Sequence, residues 1–519
     1  MPTRAASNGC ACACPTLATV NAVYARFVGF GWPLRGLICF AFGVLIALGH
    51  APYDLWWLSI LVLAVAFRFV PAPALRTTLW HGWALGAGYF AMSLRWIISP
   101  FLVHVERDGW MAPFAMALMA GGFALFWMLA AGLSQRLWRN HALAFPLALL
   151  SVEVLRSLIL TGFPWALLGH VLISTPLAQL AAFGGPHLLT LVVVMLSGAL
   201  ASLLLFRMTG AVALAALAWV LATPPDRVMP SDAPLVRLVQ PNAPQEEKWD
   251  PVMSQVFLNR MLTYTSAGAP PDLVVWPESA IPALLNNAQE ALVQIADATR
   301  GAPVIVGVNR REAGLFYNSF ITMGRGGLID GFYDKQHLVP FGEYVPGGDL
   351  LHQIGIRGFG SSYGGGFTSG TGQRTLEVEG IGAVRPLICY EGIFAEEVGT
   401  GDDRPRALVL ITNDAWFGKD AGPLQHLAQA RLRAIEQGLP MVRVANTGVS
   451  AMIDAQGRIT ASIGLNRQAY LDVRLPPAAA PTLYSRYGEL PLQALLILAV
   501  CGLTLAVKRN SVDHIVSST

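Results

Sequence analysis

The sequence predicts a two-part fold: a multi-span α-helical membrane domain of about eight transmembrane helices, with an α/β domain inserted before the last of them. Three observations predict it. Of the 519 residues 54% are hydrophobic and only 13% charged, well below the roughly 25% charged content of soluble globular domains. Charges are few and scattered from Leu34 to Ala222, whereas Asp226 to Arg486 has ordinary globular composition. Apolar runs near the length that carries a helix across a bilayer, about 20 residues, fill the first half and return once near the end.

Taken in order, these spans read at 34–51, 55–73, 80–101, 111–134, 142–161, 180–206, 208–223 and 489–507. The seventh is short and closely follows Arg207, but the charge pattern argues for it. Arg26 and Arg35, Arg76, Arg136 and Arg139, Arg207, and Lys508 with Arg509 all fall on one side when it is counted. By the positive-inside rule that side is cytoplasmic, so the polar region lies outside the cytoplasm. The expected organisation is an N-terminal extension (1–33), a membrane domain with seven spans (34–225), a catalytic domain (226–488), a last span (489–507) and a cytoplasmic tail (508–519). The net charge of +3 comes with no basic run, which gives no reason to invoke nucleic acid as a partner.

Charged residues inside spans need a reason. Arg68 is near a span end and can snorkel, which leaves Arg95, Glu153 and Arg156. The last two are three apart on one helix face and read either as an intrahelical pair or as a polar lining for a headgroup or a path into a site. Thr161-Gly162-Phe163-Pro164-Trp165 closes that helix with a turn and an aromatic, either an interfacial anchor or part of a substrate-facing loop.

The six cysteines do not form a disulfide framework: Cys10, Cys12 and Cys14 crowd the N-terminal extension, Cys39 and Cys501 fall in apolar spans, and Cys389 stands alone in the polar domain. A single thiol facing an oxidising compartment fits a reactive nucleophile better than a bridge, with a buried inert cysteine as the plain alternative. No histidine accompanies the N-terminal cysteines, and clustered metal-ligand spacing is missing elsewhere, so neither metal nor cofactor is expected. The first long apolar run begins only near Leu34, which does not read as a secretory signal.

In the polar domain, short β-rich runs at 235–240, 272–276, 304–308, 318–323, 384–389, 408–412 and 441–445 read as buried strands, and 282–299 and 423–437 as helices. Trp276-Pro277-Glu278-Ser279, Tyr333-Asp334-Lys335 and Ile388-Cys389-Tyr390-Glu391 follow one another along this domain. They supply a carboxylate that can take a proton, an ammonium that can face an oxyanion and a sulfur that can hold an acyl group, the parts of covalent acyl transfer. Glu278 and Cys389 come at or just after strand ends, where α/β folds place reactive groups. Singly, each has an ordinary role open to it: Glu278 as a helix cap, Lys335 as a surface lysine, Cys389 as a small core residue.

The same three stretches resemble the nitrilase or carbon–nitrogen hydrolase superfamily, whose catalytic set is a glutamate, a lysine and a cysteine. More closely, the chain is similar to the apolipoprotein N-acyltransferase family of Gram-negative bacteria. The likeness runs through the multi-span half, Thr161–Trp165, Gln245–Pro251, Trp276–Pro282, Lys335–Pro346, Cys389–Glu391, Asn413–Gly418 and the last span. The extension before about Thr19 has no counterpart, and Gly392-Ile393-Phe394 differs in detail. The resemblance implies an αββα nitrilase-like sandwich, a triad of Glu278 (proton acceptor), Lys335 (oxyanion stabiliser) and Cys389 (nucleophile), and supporting positions at Trp249, Glu343, Tyr390 and Glu391. It further implies a phospholipid acyl donor, a diacylglyceryl-apolipoprotein acceptor, no cofactor and a bacterial inner-membrane, multi-pass protein with its catalytic domain in the periplasm; nothing in the chain demands more than a monomer.

With reference pKa values, moving a proton from thiol to glutamate is uphill by about 4 units, or roughly 6 kcal/mol. Lys335 is therefore expected nearer the sulfur than the carboxylate. A transferase must also hold its thioester away from water; Trp249, Tyr344, Trp416 and Phe417 are candidates for lining or lid, with ordinary packing as the alternative. Two competing readings stand beside this one. A membrane-tethered amidase would share the triad, though one helix would suffice as a tether; a transporter or scaffold would use the outer domain only to bind ligand.

Overall fold

The computed structural model describes residues 22, 24–138, 141–201, 228–347, 366–372, 375–399 and 403–517. Its first half is helical: Trp32–Ala47, Trp56–Phe69, Leu75–Ser93, Ala112–Leu137, Ala144–Leu158 and Ala181–Ala201. Glycines set how closely these helices approach. A Cβ on Gly43 would collide with the Leu85 carbonyl, and one on Gly88 with the Phe40 carbonyl, so the first and third helices cross backbone against backbone, the small-residue contact that serves where lipid supplies no hydrophobic drive.

Three apolar stretches among the described residues, Val105–Leu137, Pro176–Ala201 and Leu490–Arg509, are long enough to cross a bilayer; Trp32–Ala47 and Trp56–Phe69 are shorter apolar helices. The span read at 80–101 is displaced. Its helix runs from Leu75 to Ser93, and Arg95–Leu102 continues as a tighter 3-10 segment containing Pro100, whose missing N–H cannot serve an α-helical ladder. The span read at 180–206 is broken near its start by Gly184, Gly185 (φ +65°) and Pro186. The span read at 208–223 lies outside the described residues.

The second half contains two six-stranded sheets, ordered β12-β1-β2-β3-β4-β5 and β11-β10-β9-β8-β7-β6. The first comprises β1 (Leu235–Gln240), β2 (Leu273–Val275), β3 (Val304–Glu312), β4 (Leu315–Met323), β5 (Ile329–Asp334) and β12 (Ala469–Arg474); the second comprises β6 (Leu376–Val378), β7 (Gly382–Ile388), β8 (Ala407–Thr412), β9 (Met441–Ala445), β10 (Ser450–Ile453) and β11 (Ile459–Ile463). Each sheet has a parallel centre, β1-β2-β3 in one and β7-β8-β9 in the other.

Strand alternation builds the layers. Val236, Leu238, Val275, Ile305 and Phe320 share one core with Ile388, Val409, Ile411, Val442 and Val444 of the opposite sheet. The other face of the first sheet, with Val239, Val274, Val304 and Val306, is covered by Leu258 and Met261 of the Pro251–Ser266 helix and Leu292 and Ile295 of the Gln289–Thr299 helix. The other face of the second, with Leu387, Leu408, Leu410 and Met441, is covered by Leu427, Ala430 and Ala434 of the Ala421–Gln437 helix. The result is a helix–sheet–sheet–helix sandwich.

Candidate active site

Glu278 follows β2, Lys335 follows β5 and Cys389 follows β7, so two side chains come from one sheet and the third from its partner, each where its strand ends. All three are buried, at 6%, 1% and 5% exposure. Two backbone features make the convergence possible. Gly307 on β3 lies against the Glu278 turn, and a Cβ there would stand 2.6 Å from Glu278 Cα. Cys389 adopts φ +50°, a left-handed conformation uncommon for a side-chain-bearing residue, at the junction of β7 and a short 3-10 turn (Cys389–Ile393).

The Glu278 carboxylate is held from both sides of the sandwich. Asn318 Nδ2 on β4 donates to Oε1 at 2.7 Å, and the Asn413 backbone N–H after β8 donates to Oε2 at 2.7 Å. Lys335 Nζ stands 3.7 Å from Oε1 but donates at 2.9 Å to Glu343. Glu343 is itself fixed by the Val339 N–H (2.8 Å) and by Asn318 (3.2 Å). Burial works against the Lys335 ammonium, but Glu343, Glu278 and Cys389 outweigh it and hold it above the ordinary lysine range. Burial pushes the Cys389 thiol up; the Glu278 charge adds to this and Lys335 offsets part of it. The short bond of Lys335 goes to Glu343 rather than to Glu278, a partner the expectation had not weighed.

Glu391 fastens the Cys389 turn to the end of β5. Its carboxylate accepts from Tyr333 Oη (2.7 Å), the Gln336 N–H (2.7 Å) and the Ile388 N–H (2.7 Å), so the residues before Cys389 and those beside Lys335 hang on one group. Tyr390 is buried, its ring against Phe394 and His337. Trp249 is 46% exposed and lines, with Lys248, Glu278, Ser279 and Asn446, a cavity of about 20 Å³. Of the proposed lid aromatics, Phe417 is buried against Trp96 and Trp165 of the membrane half and Trp416 is partly buried against the core; the Tyr344 carbonyl accepts from the Phe341 N–H at 2.7 Å.

The structure adds residues that sequence reasoning had not singled out. Lys248 is buried and donates to the Glu278 carbonyl at 3.1 Å; burial pulls it down to about 8 against the opposing pull of Glu278 and Cys389. Its signal was adjacency to Trp249 in a motif already noted. Asn318 and His426 carried none, since only the fold brings them to the site. Among the described residues no group of three or more His, Cys, Asp or Glu side chains is arranged to hold a metal ion. The arrangement can hold a thiol, a proton-accepting carboxylate and a fixed cation in a site screened from solvent.

The same division into halves appears in comparison with known proteins. Residues 42–199 match the apolipoprotein N-acyltransferase N-terminal domain and residues 235–480 the carbon–nitrogen hydrolase domain. The apolipoprotein N-acyltransferase of Rhodopseudomonas palustris is 36% identical, covering 93% of this chain and 96% of the relative. The chain belongs to the apolipoprotein N-acyltransferase family. The Brucella melitensis member of the family is 35% identical over 92% of this chain and 97% of its own. Among solved structures, a carbon–nitrogen hydrolase superfamily protein of Xanthomonas campestris (20% identity, TM-score 0.35) covers 50% of this chain and 95% of its own. An amidase from Nesterenkonia of the nitrilase superfamily (15% identity, TM-score 0.37) covers 52% and 99%.

Proposed function

We propose that this family member acylates the N-terminal S-diacylglyceryl cysteine of apolipoproteins, with a phospholipid as acyl donor and Cys389 as the acyl carrier. The observation that carries the reading is the meeting of Glu278, Lys335 and Cys389 at three strand ends, with Glu278 and Lys335 at ion-pair distance and both acting on the thiol.

In the first step Cys389 gives its proton to Glu278 and the sulfur attacks the donor's ester carbonyl. The Lys335 ammonium, whose partners keep it charged, faces the oxyanion. As the tetrahedral centre collapses, Glu278 returns the proton to the leaving alkoxide, which departs as lysophospholipid. In the second step the acceptor's α-amine attacks the thioester, Glu278 takes the amine proton, and the thiolate leaves and is reprotonated. Glu343 and Glu391 position the lysine and the nucleophile turn; Tyr390 supports that turn, and Trp249 borders the approach to Glu278.

On this reading the chain is a multi-pass protein of the bacterial inner membrane and acts as a monomer with its catalytic domain in the periplasm. Positive charges on one side of the spans support the orientation. The N-terminal membrane domain of the family, matched over 42–199, favours a lipid substrate over a soluble amide. Reconstitution with phospholipid and a diacylglyceryl-cysteine peptide tests the proposal: N-acyl peptide and lysophospholipid in equal amounts are expected. Free fatty acid without N-acyl peptide would mark a hydrolase instead.

A further inference from the structure

The buried Glu153–Arg156 pair of the membrane half is joined to the nucleophile turn by a continuous chain of contacts that the two-step chemistry does not use. Arg156 bonds Glu153 at 2.8 Å, and Trp127 Nε1 closes the other carboxylate oxygen at 2.9 Å. The Arg156 fork also donates to the Phe163 and Trp165 carbonyls at 2.6 and 2.9 Å, which fixes the segment carrying Trp165. The Trp165 indole donates to Gln425 at 2.7 Å and stacks on His426 with ring centroids 5.8 Å apart, while Phe417 closes the ring's edge.

His426 is fully buried, and its Nε2 lies 3.1 Å from the Cys389 carbonyl oxygen. A carbonyl oxygen only accepts, so Nε2 carries the proton. On the far side of the ring, Nδ1 faces Asp414 Oδ1 at 2.9 Å and Arg443 at 3.1 Å; Asp414 is held in turn by Arg443 (2.7 Å) and Thr412 (2.9 Å). The ring has no freedom to leave the carbonyl.

We infer that His426 is a positioning residue of the acyl-transfer site: by anchoring the Cys389 carbonyl it fixes the Cys389–Tyr390 peptide plane, and through Trp165 it makes the aim of that plane depend on the membrane half. In a trans peptide the C=O and the following N–H point in opposite directions, so a carbonyl held by His426 directs the Tyr390 N–H away from the Ala421–Gln437 helix. That N–H sits one residue from the sulfur, where an oxyanion on the attacked carbonyl needs a donor beside Lys335. The chain of contacts gives the two buried charges of the membrane half a structural use. It also gives this sandwich a nucleophile turn built against a membrane domain.

The inference rests on Cys389 being the acylated nucleophile, and two reactions at that sulfur separate its failure from the failure of that reading. Acylation by phospholipid passes through an oxyanion; alkylation by iodoacetamide does not. In His426→Phe the acylation rate is expected to fall by about 30- to 100-fold, somewhat less than for outright loss of an oxyanion donor, with KM and the alkylation rate both within about threefold of wild type. His426→Gln, which restores an N–H near the position of Nε2, is expected to recover acylation to within about tenfold of wild type. Equal losses in both reactions, no loss of acylation in His426→Phe, or no recovery in His426→Gln would each overturn the inference. Failure of wild-type Cys389 to accept an acyl chain would instead remove the functional reading beneath it.

Discussion

Two of the buried carboxylate–cation pairs, Glu153–Arg156 in the membrane half and Glu278–Lys335 in the catalytic half, are built differently. In the membrane half Glu153 and Arg156 touch at 2.8 Å, and the rest of the guanidinium fork is spent on backbone carbonyls. In the catalytic half Lys335 stands 3.7 Å from Glu278 and gives its short bond to Glu343. A pair that holds geometry closes its hydrogen bonds, because a buried charge left unpaired is expensive. A pair that works on a proton, as proposed for Glu278 and Lys335, leaves its carboxylate short of full neutralisation by the cation.

The largest test of this contrast is at the working pair and its sulfur. Cys389→Ser should abolish turnover, since serine's much higher pKa leaves too little nucleophile, and unchanged lipoprotein acylation by that variant would refute the assignment. Glu278→Gln, of nearly the same shape, should lower acylation by about 10²- to 10⁴-fold, the span of general acid–base contributions. The membrane pair should show itself first in stability. Arg156→Met leaves Glu153 buried without its cation and is expected to lower stability by about 3–5 kcal/mol, read as a drop in melting temperature in detergent; an unchanged melting temperature would show that the pair is not structural.

Glu343→Gln sharpens the contrast further. It keeps an acceptor for Lys335 but removes the charge that contributes most to holding the ammonium up, so acylation should fall by about tenfold, the effect of roughly 1.4 kcal/mol in the barrier. The smallest expected effect lies at Lys248. Below pH 8 its cation favours the Cys389 thiolate; as pH rises through about 8 that charge is lost, so thiol alkylation in the wild type should climb less steeply than a single ionisation. Lys248→Met should alkylate about threefold more slowly at pH 7, a change of about 0.5 pK unit, and follow a simple titration. Identical pH profiles would remove Lys248 from the site's electrostatics.

Much of this was legible in the sequence because strand cores and strand-end motifs are local signals. Val304–Val308 and Leu408–Thr412 announce buried strands by continuous apolar runs, and Glu278 and Cys389 come just after such runs. The strands without a legible run, β5, β6, β10, β11 and β12, lie at or next to sheet edges; β5 has Gly331 inside it, β12 alternates half-buried with exposed residues, and β6 and β10 are only three and four residues long. The Pro251–Ser266 helix also went unread, although Asp250 caps it by accepting from the Val252 and Met253 N–H groups and Pro251 begins it, a start signal that was present. Lys335 was legible as a residue but not its allegiance, because Glu343 and Asn318 reach it only through the fold. The displaced and broken helices have local causes in Pro100 and in Gly184-Gly185-Pro186, which hydropathy windows average away.

Every step proposed here passes through a fatty acyl chain on Cys389. Intact-mass and peptide analysis of purified protein incubated with phospholipid alone tests it most directly. A thioester-linked acyl mass is expected on the peptide containing Cys389, absent from Cys389→Ser and strongly reduced in Glu278→Gln. An acyl group on another residue, or none on a wild-type protein that still acylates lipoprotein, would contradict it.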